Sequence, residues 1–263
     1  MSTQTGKWNA EDYAKNSSAQ AIWANELITK LALQGNESLL DIGCGDGRIT
    51  AEIARRLPSG FVVGIDSSEN MIALASKSFA CDNLTFYMMN ATDIHFNKMF
   101  DVAFSNATLH WVKDHQAVLS NLRKHLNPQA RILFQMGGRG NAQEMAEIAD
   151  QVIVSSEWAA YFQGFAFPYS FYDAEDYERW LPKTGFEAIR IELIPKDMVH
   201  KNSDELKGWL RTTWFPYTDR LPQDKRETFL DELVKQYLEK NPIDSQGQTH
   251  VKMVRLEVEA RVR

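Results

Sequence analysis

Three glycines at alternate positions, Gly43, Gly45 and Gly47, follow the apolar run Ser38-Leu39-Leu40-Asp41-Ile42 and precede a segment where Ile49, Ile53 and Leu57 recur every four residues. The run reads as a short buried strand and the periodic segment as one face of a helix, stopped at Pro58-Ser59-Gly60. Glycines at such a junction let the backbone turn tightly and approach a ligand closely. The same alternation continues. Phe61-Val62-Val63-Gly64-Ile65-Asp66 predicts a second strand; Ser67 or Ser68 caps the next helix, whose apolar side is Met71, Ile72, Leu74 and Ala75. Residues 84–89, 100–105 and 131–136 predict three more strands, with a helix from Asp114 carrying Val118, Leu122 and Leu126 and ending at Asn127-Pro128. Strands that are apolar throughout, separated by helices, need a parallel sheet covered on both faces. The expected fold is therefore a doubly wound α/β sheet.

Beyond residue 140 the pattern changes. Residues 141–180 predict helix with a dense aromatic stretch: eight of the fifteen residues from 158 to 172 are aromatic. A strand is expected over 186–194 and helices over 203–213 and 222–240. The chain closes with Leu256, Val258, Ala260 and Val262 alternating with charged residues, the pattern of a half-buried strand. We expect one domain over 1–263, with a ligand-binding core over 36–136 and helical cap segments over 141–180 and 200–241. At 263 residues and 44% hydrophobic the chain can bury a core unaided, and its net charge of −6 makes a nucleic-acid backbone an unexpected partner. Two cysteines and six histidines form no metal-ligand spacing. The polar first sixteen residues lack the apolar centre of a secretory signal, and no apolar run approaches a membrane span, so the expected location is the cytoplasm.

The ligand class follows from the loop and the next strand. Nineteen residues after Gly47, Asp66 ends the second strand, where its carboxylate can accept from two ribose hydroxyls. A dinucleotide fingerprint would place its third glycine at position 48, which is Arg48, and the Gly-Lys-Ser/Thr of a phosphate loop is absent. Instead, Asp41-Ile42-Gly43-Cys44-Gly45-Asp46-Gly47 resembles motif I of class I S-adenosylmethionine-dependent methyltransferases. The resemblance implies a seven-stranded Rossmann-like sheet with an inserted cap. It also implies S-adenosylmethionine contacts at Asp41, Gly43, Cys44, Gly45, Gly47, Asp66, Ser67 and Met71. Asn90 and Ala91, with Asp93 as the fallback, would meet the adenine; Asn106 lies in the segment 100–111 that resembles motif IV.

Trp8, Tyr13, Asn16 and Gln20, together with Leu109-His110-Trp111, are similar to the pattern of trans-aconitate and juvenile hormone acid methyltransferases, which esterify carboxylates. Residues 215–222 and 255–261 also look like the trans-aconitate family. This implies that Gln20 and Trp111 orient a small acceptor's carboxylate and that Tyr13 closes the site. An ionised carboxylate needs no general base. A nitrogen, carbon, phenol or carrier-bound malonyl acceptor remains the alternative, with His110 the first candidate base where one is needed; a non-catalytic module is the other class. Arg139 in the glycine-rich turn after the fifth strand, and Arg211, Trp214 and Tyr217 further on, are the acceptor-binding candidates. Each of these side chains has an ordinary packing role as its competing explanation.

Overall fold

The structure, a computed structural model, describes residues 18–79 and 81–263, with side chains from residue 23 onward. Tyr13 and Trp8 lie outside the described residues. Two compact units divide them, one of residues 20–139, 169–194 and 254–263, the other of residues 140–168 and 195–253.

The first unit begins with α1 (Ser18–Lys30) and alternates β1 (Ser38–Ile42), α2 (Arg48–Arg55), β2 (Phe61–Asp66), α3 (Glu69–Ser78) and β3 (Leu84–Met88). It continues with β4 (Phe100–Asn106), a 3₁₀ turn (Leu109–Trp111), α4 (His115–Arg123), β5 (Leu126–Gly137) and α6 (Ala174–Lys183), and holds the first part of β6 (Phe186–His200) and the end of β7 (Thr249–Val262). The seven-stranded sheet has the order β3-β2-β1-β4-β5-β7-β6. Strands β1 to β5 pair in parallel, whereas β7 is antiparallel to β5. The order reverses between β1 and β4, so their carboxyl ends open a crevice, the place where open α/β sheets bind ligands.

Alternate residues of each strand feed opposite layers. Leu40, Ile42, Val63, Ile65, Ala103, Ile132 and Phe134 pack with α4 and with Tyr177 and Leu181 of α6. Leu39, Val62, Val102, Phe104 and Leu133 pack with Leu27 and Ile28 of α1, with Leu31 just after it, and with Ala51, Ile53 and Ala54 of α2. This is the two-faced burial that uninterrupted apolar strands require.

Three expectations change. The expected helix stop Asn127-Pro128 lies inside β5, which starts at Leu126; the pairing register with β4 shifts between Phe100 and Val102, an irregularity that tolerates a proline with no N–H to give. Strand β6 continues to His200 rather than stopping near 194. The last strand is half-buried at its end, where Glu259 is partly exposed and Arg261 exposed. Before that end Glu257 is fully buried and Arg255 is 5% exposed, because α1 covers this part of the charged side, with Lys30 Nζ 2.5 Å from Glu257 Oε2.

The second unit contains α5 (Gln143–Ile153), α7 (Ser203–Thr213), α8 (Phe215–Thr218) and α9 (Gln223–Lys240), with α9 packed on the other three. The helix expected across 141–180 resolves into α5 and α6, with turns and irregular chain between them. Trp158 and Phe162 face Phe229 of α9 at ring-centroid distances of 5.2 and 5.4 Å, and Phe165 lies 4.5 Å from Tyr217. The first part of the aromatic stretch is thus core of this unit, while Tyr169, Phe171 and Tyr172 belong to the other.

Candidate active site

The loop after β1 is held by its neighbours before any ligand is considered. Gly43 and Cys44 both donate N–H to Ile65 O, at 2.7 and 2.9 Å. Gly43 has φ 79°, and a Cβ there would lie 2.0 Å from Thr108 Cγ2. At Gly45 the opposite holds: φ is 53°, and nothing lies within 4 Å of where its Cβ would be. One glycine is demanded by the protein's own packing; the other leaves bare backbone beside open space. Cys44 is buried against Gly64, and burial pushes its thiol well above its ordinary pKa, so it is an inert small side chain.

Asp66 ties this loop to the next helix. Its Oδ2 accepts from Gly45 N–H at 3.0 Å and its Oδ1 from Ser68 N–H at 2.8 Å. Each carboxylate oxygen retains a second acceptor position. Those positions, beside the open backbone of Gly45, fit a ribose diol and meet the chemical requirement of the adenosyl group. Burial raises the Asp66 pKa above the usual carboxylate value despite these backbone bonds. Ser67 is exposed, and Ser68 rather than Ser67 caps α3, accepting from the N–H of buried Met71.

Asp41, buried in β1, accepts from Thr50 Oγ1 at 2.7 Å. Burial pushes its pKa up to about 7; the Thr50 bond opposes the rise and the Asp66 charge adds to it. The unfolded chain ionises this group near the ordinary carboxylate value, whereas the folded protein keeps the proton to about 7. The stability it contributes is complete at low pH and is lost as pH rises across that interval. Asp41→Asn is expected to flatten this part of a Tm-against-pH curve for the cofactor-free protein. An unchanged slope would refute the assignment.

After β3, Asn90 is exposed and its Oδ1 accepts from Thr92 N–H at 3.0 Å and Thr92 Oγ1 at 2.9 Å, an Asx turn that places Ala91 at its centre. Asp93 is exposed and donates its N–H to Asn90 O. After β4, Asn106 is partly buried, Ala107 adopts φ 54°, and Thr108 Oγ1 donates to Gly43 O at 3.0 Å. A non-glycine residue in the left-handed region at the carboxyl end of a central strand marks a backbone shaped by more than local preference.

The 3₁₀ turn that follows carries His110 and Trp111. His115 of α4 fixes it by donating from Nε2 to Leu109 O at 2.7 Å while Nδ1 accepts from Tyr177 Oη at 2.8 Å. His110 Nδ1 accepts from Gly137 N–H at 3.3 Å, so its ring hydrogen sits on Nε2. Burial, then the charge of Arg255, holds its pKa well below the ordinary histidine value. His110 is a neutral donor. Tyr169 and Phe171 stack on each other and border it at 6.0 and 6.1 Å, and Trp111 lies 4.8 Å from Tyr169.

Gln20 is in the first turns of α1. Arg139 pairs with Asp173, the N-cap of α6, at 2.8 Å. Arg211 forms a two-pronged contact with Glu227 of α9 at 3.0 and 3.2 Å, and Trp214 and Tyr217 are buried in the aromatic core of the second unit. Sequence reasoning missed Thr50, Thr108 and Arg255. Thr108 had a local signal, its place in the motif IV segment, but nothing in the sequence connects it to Gly43.

A crevice at a topological switch point, a glycine loop with one open backbone position and a carboxylate at the second strand's end define a nucleoside-cofactor site. The methyltransferase domain family matches residues 33–178. An uncharacterized methyltransferase of Schizosaccharomyces pombe is 30% identical over 240 residues, covering 86% of this chain and 89% of that one. The trans-aconitate 2-methyltransferase of Shigella flexneri is 26% identical over 260 residues, 97% of this chain and 98% of that one. The O-methyltransferase of a Brevibacillus brevis trans-AT polyketide multienzyme, solved with S-adenosyl-L-homocysteine, shares the fold at TM-score 0.55 and 14% identity, covering 97% of this chain and 77% of that one. The chain belongs to the methyltransferase domain family. It is an S-adenosylmethionine-dependent enzyme.

Proposed function

We propose that this methyltransferase esterifies the carboxylate of a small organic acid. The observation that carries the reading is His110: its pKa is depressed and its basic Nδ1 is taken by Gly137 N–H, so the ring of the motif IV turn is a neutral, weak base that presents Nε2–H as a hydrogen-bond donor. Such a group suits an acceptor that arrives as an anion and needs no deprotonation. The similarity to a trans-aconitate 2-methyltransferase along nearly the whole chain supports the same class.

S-adenosylmethionine, when bound, supplies an activated methyl group on a sulfonium. The chain's task is then binding, alignment and exclusion of water. Asp66 holds the ribose hydroxyls, the open face at Gly45 admits the ligand to the backbone, and Asn90 with Ala91 meets the adenine. Asp41, Gly43, Cys44 and Gly47 shape the loop, while Ser67, Met71 and Asn106 line its surroundings. Trp111, backed by Tyr169, supplies an aromatic face that favours positive charge. Gln20 and Trp111 orient the acceptor, whereas Arg139 and Arg211 are engaged by Asp173 and Glu227, and Trp214 and Tyr217 by the core of the second unit. The enzyme works in the cytoplasm on free small molecules, not on nucleic acid.

Methyl-labelled cofactor offered with a panel of small mono-, di- and tricarboxylic acids and amines tests the reading. A base-labile methyl ester is the expected product. Base-stable label on nitrogen or carbon would overturn it.

A further inference from the structure

His115 and Tyr177 form a buried polar pair beside the motif IV turn. His115 opens α4 and is 1% exposed; Tyr177 lies on α6 and is fully buried. Tyr177 Oη donates to His115 Nδ1 at 2.8 Å, and His115 Nε2 donates to Leu109 O at 2.7 Å. A backbone carbonyl only accepts, which fixes the direction of both bonds once the ring is neutral. Burial keeps it neutral, lowering its pKa to about 4. Tyr177 Oη also lies 3.6 Å from Met136 Sδ, a weaker acceptor than the imidazole. Apolar side chains could fill this place without desolvating a hydroxyl and an imidazole. What the polar pair adds is a directed hydrogen bond to one carbonyl of the motif IV turn.

That turn needs support from outside. Leu109–Trp111 is a single 3₁₀ turn, closed by Trp111 N–H to Thr108 O and Val112 N–H to Leu109 O. So short a helix does not hold its own place. Two further donors come from the chain just before α6: Ser170 N–H bonds His110 O at 2.8 Å, and Tyr172 Oη bonds Lys113 O at 2.6 Å. The Tyr172 ring meets His115 edge-on at 4.6 Å, so the two supports brace each other within the first unit. The carbonyls of Leu109, His110 and Lys113 are thus held from outside, and the backbone between them carries His110 and Trp111.

We propose that Tyr177 and His115 are positioning residues for methyl transfer: their hydroxyl–imidazole relay sets the motif IV turn, and with it Trp111, against the acceptor. The inference rests on the placement of the acceptor beside this turn in the reading above, and not on which acceptor atom is methylated. A turn displaced by about 1 Å misaligns donor and acceptor and slows the transfer by up to about 100-fold, with the cofactor still bound.

The test uses the full chain, labelled with fluorotryptophan for fluorine NMR, and the acceptor that the labelled-cofactor panel identifies. Trp111→Phe assigns the Trp111 signal. Tyr177→Phe is expected to lower kcat about tenfold, with acceptor KM and S-adenosyl-L-homocysteine affinity each within about threefold. Its Trp111 signal should shift while that of Trp158, in the second unit, stays. His115→Leu removes the donor to Leu109 O and is expected to lower kcat about 100-fold. His115→Gln, whose amide can accept from Tyr177 and donate to Leu109 O, should recover kcat to within about tenfold of wild type. Wild-type kcat in Tyr177→Phe overturns the proposal. So does a signal shift confined to Trp180, which borders His115 at 6.0 Å, because the pair then orders only its own surroundings. Loss of cofactor affinity in step with turnover, or a Gln variant no better than the Leu variant, makes the role structural and overturns it too. Unchanged turnover in Trp111→Phe defeats the placement of the acceptor beside the turn, and the proposal with it. A base-stable product on nitrogen with the same kcat losses defeats the esterification reading and leaves the relay standing.

Discussion

Gly43→Ala is expected to lose measurable cofactor binding and to cost about 3 kcal/mol of stability or more, because two independent penalties meet at one atom. Alanine is strained at φ 79°, and its Cβ would lie 2.0 Å from Thr108 Cγ2, 2.2 Å from Thr108 Oγ1 and 2.5 Å from Thr108 Cβ. Rotating Thr108 offers no escape. Its own Cβ is already too close, and its hydroxyl is held by Gly43 O at 3.0 Å and Asn106 O at 3.2 Å. The backbone must move, and the same backbone donates Gly43 N–H and Cys44 N–H to Ile65 O. Gly45→Ala is the internal comparison. With φ 53° and nothing within 4 Å, it should cost only about 1 kcal/mol of stability while weakening S-adenosyl-L-homocysteine strongly, since the added methyl enters the ligand's side of the loop. Thermal melts and calorimetric titration of both variants separate the two glycines. A Gly43→Ala protein that melts with wild type would refute the Thr108 contact. A Gly45→Ala protein of unchanged affinity would show that the open side is not where the cofactor lies.

This contrast also indicates what was readable in advance. The spacing of Gly43, Gly45 and Gly47 after an apolar strand announced a turn that something approaches, and Asp66 at the end of the next strand announced a ribose. Those inferences depend on local backbone chemistry, which a sequence carries. Which glycine is required by packing depends on Thr108, sixty-five residues away, and no spacing rule reports a contact of that range. The arginines show the same boundary. Arg139 and Arg211 stood out beside glycines and aromatics, yet they meet Asp173 and Glu227. Arg255 drew attention only as part of a family-like ending, although it is the buried one. A charge's partner is a tertiary fact. The final strand is the clearest case: alternation of apolar and charged residues ordinarily marks a solvated face, but here α1 closes over that face at Arg255 and Glu257.

Glu257→Gln is expected to destabilise the protein by about 3 kcal/mol, near the lower end of the range for breaking a buried ion pair. Glu257 is fully buried; its Oε2 accepts from Lys30 Nζ at 2.5 Å and Arg190 Nη1 at 2.9 Å, and its Oε1 from Gln135 Nε2 at 2.8 Å. Glutamine keeps the shape but cannot accept at both positions or balance two cations. The cost stays at the low end because the Lys30 side chain is 40% exposed and can turn to solvent, as Arg190 can toward Glu192 and Glu259. Burial raises the Glu257 pKa, but the bonds from Lys30, Gln135 and Arg190 outweigh it and hold the group below the usual glutamate value. Its contribution is therefore present above the ordinary glutamate pKa and is lost as pH falls through the lower, folded-state value. Asp41 has the reverse sign, losing its contribution as pH rises toward about 7. The two variants should remove opposite limbs of one stability profile: Glu257→Gln the acid limb, Asp41→Asn the limb on the rising side. Urea titrations across pH measure both. If Glu257→Gln melts in acid along the wild-type curve, the carboxylate is not ionised in the folded protein, and the α1–β7 network is held together by packing instead of charge.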